Sequence, residues 1–260
     1  MLPSELAGSQ SPPPPDAPRG PTLRLVCVND VYSLEHMPSL HSLVRHHATT
    51  DPADQFIVTM AGDFIAPSML SSLDKGRGMI DAMNSVGITH ASFGNHEDDV
   101  PVEELRSRIR EFHGVWLNSN ITHFEPPMPA FQILHVTAPG GRSVRVGLLG
   151  VVMAGGSEYR RPPFGGAPME PANQAALRIA TYLLQHHACD CVLPMTHQDI
   201  DDDRLLAATP LPAGLPPFPL IIGGHEHRVY HELVDQTWIV KSGSDAVQAT
   251  EAGLIFGDAA

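Results

Sequence analysis

The chain has 260 residues, 42% of them hydrophobic, which is enough to bury one substantial core. Its formal net charge is -13, from 29 acidic and 16 basic residues, and no run of Lys or Arg is long enough to follow a nucleic-acid backbone. These values argue against polymeric nucleic acid and anionic membranes as partners. A small phosphate ester stays compatible, because bound cations would reverse the local sign.

In chain order, residues 1–21 are polar and Pro-rich and are expected to form an arm without a packed core. That start lacks a basic segment followed by an apolar stretch, and no apolar run reaches the length of a membrane-spanning helix, so a soluble cytoplasmic protein is expected. A single catalytic domain is expected over 22–260. Apolar strand-like runs fall at 23–28, 56–60, 90–93, 114–117, 131–136, 144–151, 191–194, 220–222 and 238–241. The clearest helical patterns lie at 78–86, 102–112 and 171–187, and Pro/Gly-rich stretches at 162–171 and 210–219 read as surface loops. Strands alternating with helices imply an α/β fold with largely parallel strands, whereas the closer spacing after residue 131 suggests an antiparallel second sheet. The three cysteines, Cys27, Cys189 and Cys191, are too few for a disulfide framework and read as packing residues.

Five short segments place metal-ligand or proton-transfer residues directly after an apolar strand, where α/β folds collect their ligands. They are Asn29-Asp30-Val31-Tyr32, Ala61-Gly62-Asp63, Gly94-Asn95-His96-Glu97, Met195-Thr196-His197 and Gly223-Gly224-His225-Glu226-His227. A lone Asp after a strand is usually a helix cap or turn former, and a lone His there a hydrogen-bonded surface residue. His225 and His227 carry more weight, because at strand period both imidazoles would point to one centre. Carboxylate, carboxamide and imidazole donors together suit Mn, Fe or Zn, with no thiolate required.

In this order the segments resemble the calcineurin-like metallophosphoesterases, and within them the catalytic domain of the 5′-nucleotidase group. Asp81-Ala82-Met83-Asn84, Asn118-Ser119-Asn120-Ile121 and Val240-Lys241-Ser242-Gly243 are similar to that subgroup as well. The resemblance covers roughly residue 23 to the C-terminus. It implies a four-layer αββα sandwich with two mixed sheets flanked by helices. It also implies a centre of two divalent or trivalent ions (Mn, Fe or Zn), with Asp63 bridging, Asp30 and His227 on the first ion, and Asn95, His197 and His225 on the second. His96 would assist the leaving group and Asp99 would orient it. The implied reaction is hydrolysis of a phosphate monoester by a hydroxide shared between the ions, on a small phosphorylated substrate such as a nucleotide. Two alternatives stand beside it: a phosphodiesterase acting, for example, on cyclic nucleotides, and a non-catalytic metal-binding scaffold.

The sequence departs from the family pattern at Tyr32, where an imidazole ligand is expected. A neutral phenol is a poor ligand, since its pKa is near 10. Three outcomes are open: Tyr32 binds as phenolate to a harder ion, it hydrogen-bonds a water held by the metal, or His36 swings in. Nucleotidases of this group also carry a further C-terminal domain that stacks the nucleobase, and this chain stops at Ala260. Either it is a fragment, or it accepts a broader range of phosphate esters through its own loops.

Overall fold

The structure, a computed structural model, describes residues 20–50, 53–155, 158–159 and 161–257. The Pro-rich stretch from 1 to 19 lies outside them. Among the described residues no helix is long and apolar enough to cross a membrane.

The first half of the chain winds into strands β1 (Thr22–Val28), β2 (Gln55–Ala61), β3 (His90–Ser92) and β4 (Val115–Leu117), joined by helices α1 (Met37–Thr50), α2 (Met69–Asp74), α3 (Arg77–Val86) and α4 (Val102–Glu111). The four strands run parallel, in chain order. The second half supplies β5 (Phe131–Thr137), β6 (Ser143–Val152), helix α5 (Ala172–His186), β7 (Cys191–His197), helix α6 (Ile200–Ala208), β8 (Leu220–Gly224), β9 (Val229–Val234), β10 (Thr237–Ser242) and β11 (Thr250–Ile255). Its sheet has the order β5-β6-β7-β8-β10-β9, and β11 returns to the first sheet, antiparallel to β1.

The second sheet is therefore mixed rather than antiparallel, which corrects the expectation drawn from strand spacing. Its centre, β6, β7, β8 and β10, is parallel, and only the edge strands β5 and β9 run the other way. The reason is that α5 and α6 return the chain between successive strands, as parallel pairing requires.

Strand alternation builds the layers. In β1, Leu23, Leu25 and Cys27 face the opposite sheet and pack with Val146, Leu148, Leu193, Met195 and Ile222. Val26 and Val28 face outward onto Leu40 and Val44 of α1 and Ile80 and Met83 of α3. In β7, Cys191, Leu193 and Met195 enter the layer between the sheets, while Val192 meets Ile179 and Leu183 of α5. Three apolar layers thus separate helix, sheet, sheet and helix, as the resemblance implied. All three cysteines are free and buried, consistent with packing.

Leu25 is fully buried between the sheets. Truncation to Ala is expected to lower the unfolding free energy by about 2–5 kcal/mol, the range for an unrelaxed core cavity. Urea denaturation with an unchanged slope is the measurement.

Candidate active site

The parallel strands of both sheets end at one edge, and the five segments meet there. His197, the last residue of β7, lies with its Nδ1 2.8 Å from the Ala61 carbonyl at the end of β2. Since a carbonyl only accepts, Nδ1 carries a hydrogen, which turns Nε2 toward the centre. Asp30, Asp63 and His197, all buried, each bring one donor atom to within 4.8 Å of one another.

Backbone geometry explains why these loops turn so sharply. Asp30, Asp63, His225 and His227 all have positive φ, at 55°, 57°, 104° and 56°. Such conformations cost of order 1–3 kcal/mol each in non-glycine residues and persist only where surroundings hold them. For Asp63 the hold is Glu97. Its buried carboxylate accepts N–H groups from Asp63 (2.9 Å), Phe64 (2.8 Å), Ile65 (3.0 Å) and Gly94 (2.5 Å), tying the loop after β2 to the loop after β3. Burial and Asp63 push this carboxyl up to about 7, while the N–H groups of Ile65, Phe64 and Gly94 pull it down. A side chain at Gly94 would collide with Asp63 Oδ1, so the two loops approach as closely as they do only because Gly94 is glycine.

For Asp30 the hold is Asn29 and Asp245. Asn29 Nδ2 donates to Asp30 Oδ2 (2.5 Å) and to the Gly243 carbonyl (2.7 Å), and its Oδ1 accepts from Ser242 N. Asp245 N donates to the Asp30 carbonyl, and its side chain accepts from Tyr32 N and Ser33 N. Asp30 Oδ2 also accepts from His225 N at 2.9 Å. Burial works against its ionisation, yet the nearby His197 and His227 hold the Asp30 carboxyl below its usual range.

His225 and His227 correct one step of the sequence reasoning. They do not lie on a strand, because β8 ends at Gly224, and their positive-φ turn sends the rings to different neighbours. His225 packs against His197 at 5.4 Å, with Nε2 3.5 Å from Asp199 Oδ1, and burial followed by His197 lowers its pKa. His227 Nε2 lies 3.2 Å from Asp30 Oδ1, a contact that raises its pKa. The two imidazoles reach one edge by turn geometry, at adjacent positions.

Two buried atoms of these segments stand out: Asn95 Oδ1 has no hydrogen-bond partner, and His197 Nε2 faces the carboxylates of Asp63 and Asp30. His197 Nε2 is 3.1 Å from Asp63 Oδ2. Burial alone would lower the His197 pKa, but Asp63 and Asp30 overcome it and raise it to about 10. His96 sits on the rim, half exposed. Its backbone N donates to Asp63 Oδ1 (2.8 Å) and its Nδ1 is 2.6 Å from Asp99 Oδ2.

Tyr32 enters the same centre. Its hydroxyl lies 3.0 Å from Asp63 Oδ2, 3.2 Å from Asp30 Oδ1 and 2.9 Å from His227 Nε2. Burial and the two carboxylates push its pKa far above the usual phenol range. His36 instead places Nδ1 3.1 Å from the Asp245 carbonyl, away from the role of substitute.

Sequence reasoning gave no role to the buried Lys241, which follows the apolar run Trp238-Ile239-Val240 in β10. Its Nζ donates to the Gln198 carbonyl (2.7 Å) and pairs with Glu226 (2.6 Å) and Asp203 (2.9 Å). It thereby joins the loops that carry His197 and His225. A charged residue inside an apolar strand was the available signal. Beside this network opens a cleft of about 670 Å³ with a mixed lining, polar at Gln198, Asp199 and Asp202 and apolar at Met153, Ala172 and Leu205.

A model of the calcineurin-like phosphoesterase family matches residues 23–229. No curated protein sequence matches the chain. Among solved structures, NAD nucleotidase (NadN) of Haemophilus influenzae is similar with a TM-score of 0.77 at 15% identity, covering 92% of this chain and 48% of that one. Thermus thermophilus sulfate thiohydrolase SoxB gives 0.72 at 17%, covering 91% and 54%. The 5′-nucleotidase precursor of Thermus thermophilus gives 0.67 at 15%, covering 90% and 54%. The chain spans about half the length of these proteins, and at such identities the likeness is one of fold.

Replacing Glu97 with Gln leaves two of its four N–H donors facing an NH2 group. Stability is expected to fall on the order of 3 kcal/mol, the cost of unmet buried donors. Equilibrium denaturation checks this, and an unchanged midpoint would show that the carboxylate is not what holds the two loops together.

Proposed function

The chain belongs to the calcineurin-like phosphoesterase family, and on that premise we propose that it hydrolyses phosphate monoesters in a metal-dependent reaction, with nucleotides among its substrates. The observation that carries the reading is the buried cluster of Asp30, Asp63 and His197, whose ligand atoms lie within 4.8 Å of one another, together with the unpartnered buried Oδ1 of Asn95. Leaving an atom such as Asn95 Oδ1 unmet costs about 1–3 kcal/mol, a cost that a cation would remove. Asp63, Asn95, His197 and His225 together offer oxygen and nitrogen donors that suit Mn, Fe or Zn. When bound, an ion there neutralises phosphoryl oxygens and acidifies a water.

The remaining steps belong to the chain. The His96 backbone, fixed on Asp63, places the imidazole at the rim. Asp99 accepts only, so it holds the hydrogen on Nδ1 and leaves Nε2 to pass a proton to the departing alkoxide. The cleft of mixed lining beside Gln198 and Asp199 offers room for the alcohol portion of the ester. The nucleotidase names of two similar structures support the nucleotide class.

With Mn2+, the protein is expected to hydrolyse an aryl phosphate and nucleoside monophosphates, and a chelator is expected to stop both. His96→Ala should lower kcat on nucleoside monophosphates by about 10²–10⁴-fold, the usual contribution of a positioned acid. The loss should be smaller on the aryl ester, whose leaving group needs little protonation. Steady-state kinetics on paired mono- and diester substrates decide the matter: turnover of diesters alone, or of neither, would overturn the reading.

A further inference from the structure

We infer that the Tyr32 hydroxyl takes the place of the first ion, so that the chain holds a single resident cation, at Asp63, Asn95, His197 and His225. The inference rests on the ligand assignment proposed above, and it replaces the two-ion expectation raised by the family resemblance.

Three observations carry it. The hydroxyl oxygen touches every donor of the first position at once: Asp30 Oδ1, Asp63 Oδ2 and His227 Nε2, at 3.2, 3.0 and 2.9 Å. Measured from Cγ, a phenol oxygen reaches roughly 2 Å farther than an imidazole Nε2, which is the length of a metal–nitrogen bond. A tyrosine directed as the usual histidine would be thus puts its oxygen where the cation belongs, and the equal contacts to all three donors match that placement. Second, the side chain is clamped. Tyr32 N donates to Asp245 Oδ1 at 2.8 Å, and its ring lies edge-on to His96 at 6.1 Å and tilted to His227 at 5.3 Å. Third, satisfaction of the two positions differs. The phenol brings its own hydrogen to the carboxylates and gives His227 a partner, whereas Asn95 Oδ1, of the second set, has none. The first position is met without a cation; Asn95 Oδ1 is not.

Metal content measured after loading with excess Mn2+ and desalting tests the inference. The wild-type chain should retain about one ion and Tyr32→His about two, as an imidazole of the shorter reach restores a ligand. His227→Ala should keep about one and Asn95→Ala should fall toward none, which covers the case where Tyr32→His fails to fold. Two ions in the wild type, equal content in wild type and Tyr32→His, or loss of an ion on His227→Ala would overturn it. So would a visible phenolate-to-metal absorption band on loading with Fe3+, which would make Tyr32 a ligand. Ion content is read without turnover: a chain that binds one ion and hydrolyses no ester leaves this inference standing and removes the hydrolase reading.

Discussion

The site depends on one buried carboxylate. Glu97 gathers four backbone N–H groups from two loops that share no strand, and in doing so it sets the direction of Asp63 and the approach of Gly94. A fully buried acid is costly to ionise, and Asp63 beside it adds to that cost. Several charge-assisted N–H bonds offset it. No neutral side chain could offer two oxygens to four donors, so the chemistry of the loop junction calls for a carboxylate at this position.

Backbone strain has the same logic. Four of the six residues that the family resemblance marks as ligands, Asp30, Asp63, His225 and His227, sit in the left-handed region, and each is held by partners elsewhere in the chain. Asn29 and Asp245 brace the first, Glu97 the second, and the Lys241 pairs with Glu226 and Asp203 anchor the turn that carries the last two. Preorganisation is thus distributed over buried polar contacts and is not a property of the donors themselves.

The main strands and the polar segments at their ends were legible, because apolar alternation and residue type are local signals. Even so, the reason given for His225 and His227 was wrong, since a turn and not a strand period brings the rings to one edge. Helix α1 is absent from the clear helical patterns because its apolar stripe is narrow: only Met37, Leu40, Val44 and His47 are buried. Strands β9 and β11 alternate between half-buried and exposed residues at sheet edges, which leaves a weak pattern. The parts played by Glu97 and Lys241 depend on partners distant in the chain, which residue spacing does not report. Tyr32 stood out as an anomaly in the sequence, but only the structure gives the distances from its hydroxyl to three donors at once.

The proposed donors are drawn from both halves of the sandwich: Asp63 and Asn95 follow strands of one sheet, while His197 ends a strand of the other and His225 follows one. A cation gripped by Asp63 and His197 would act as a rivet across the seam, so its binding energy would also be cohesion between the halves. Anything that shears one sheet against the other would then loosen the rivet before the hydrophobic layers part. Catalytic competence and mechanical integrity of the seam would be lost together.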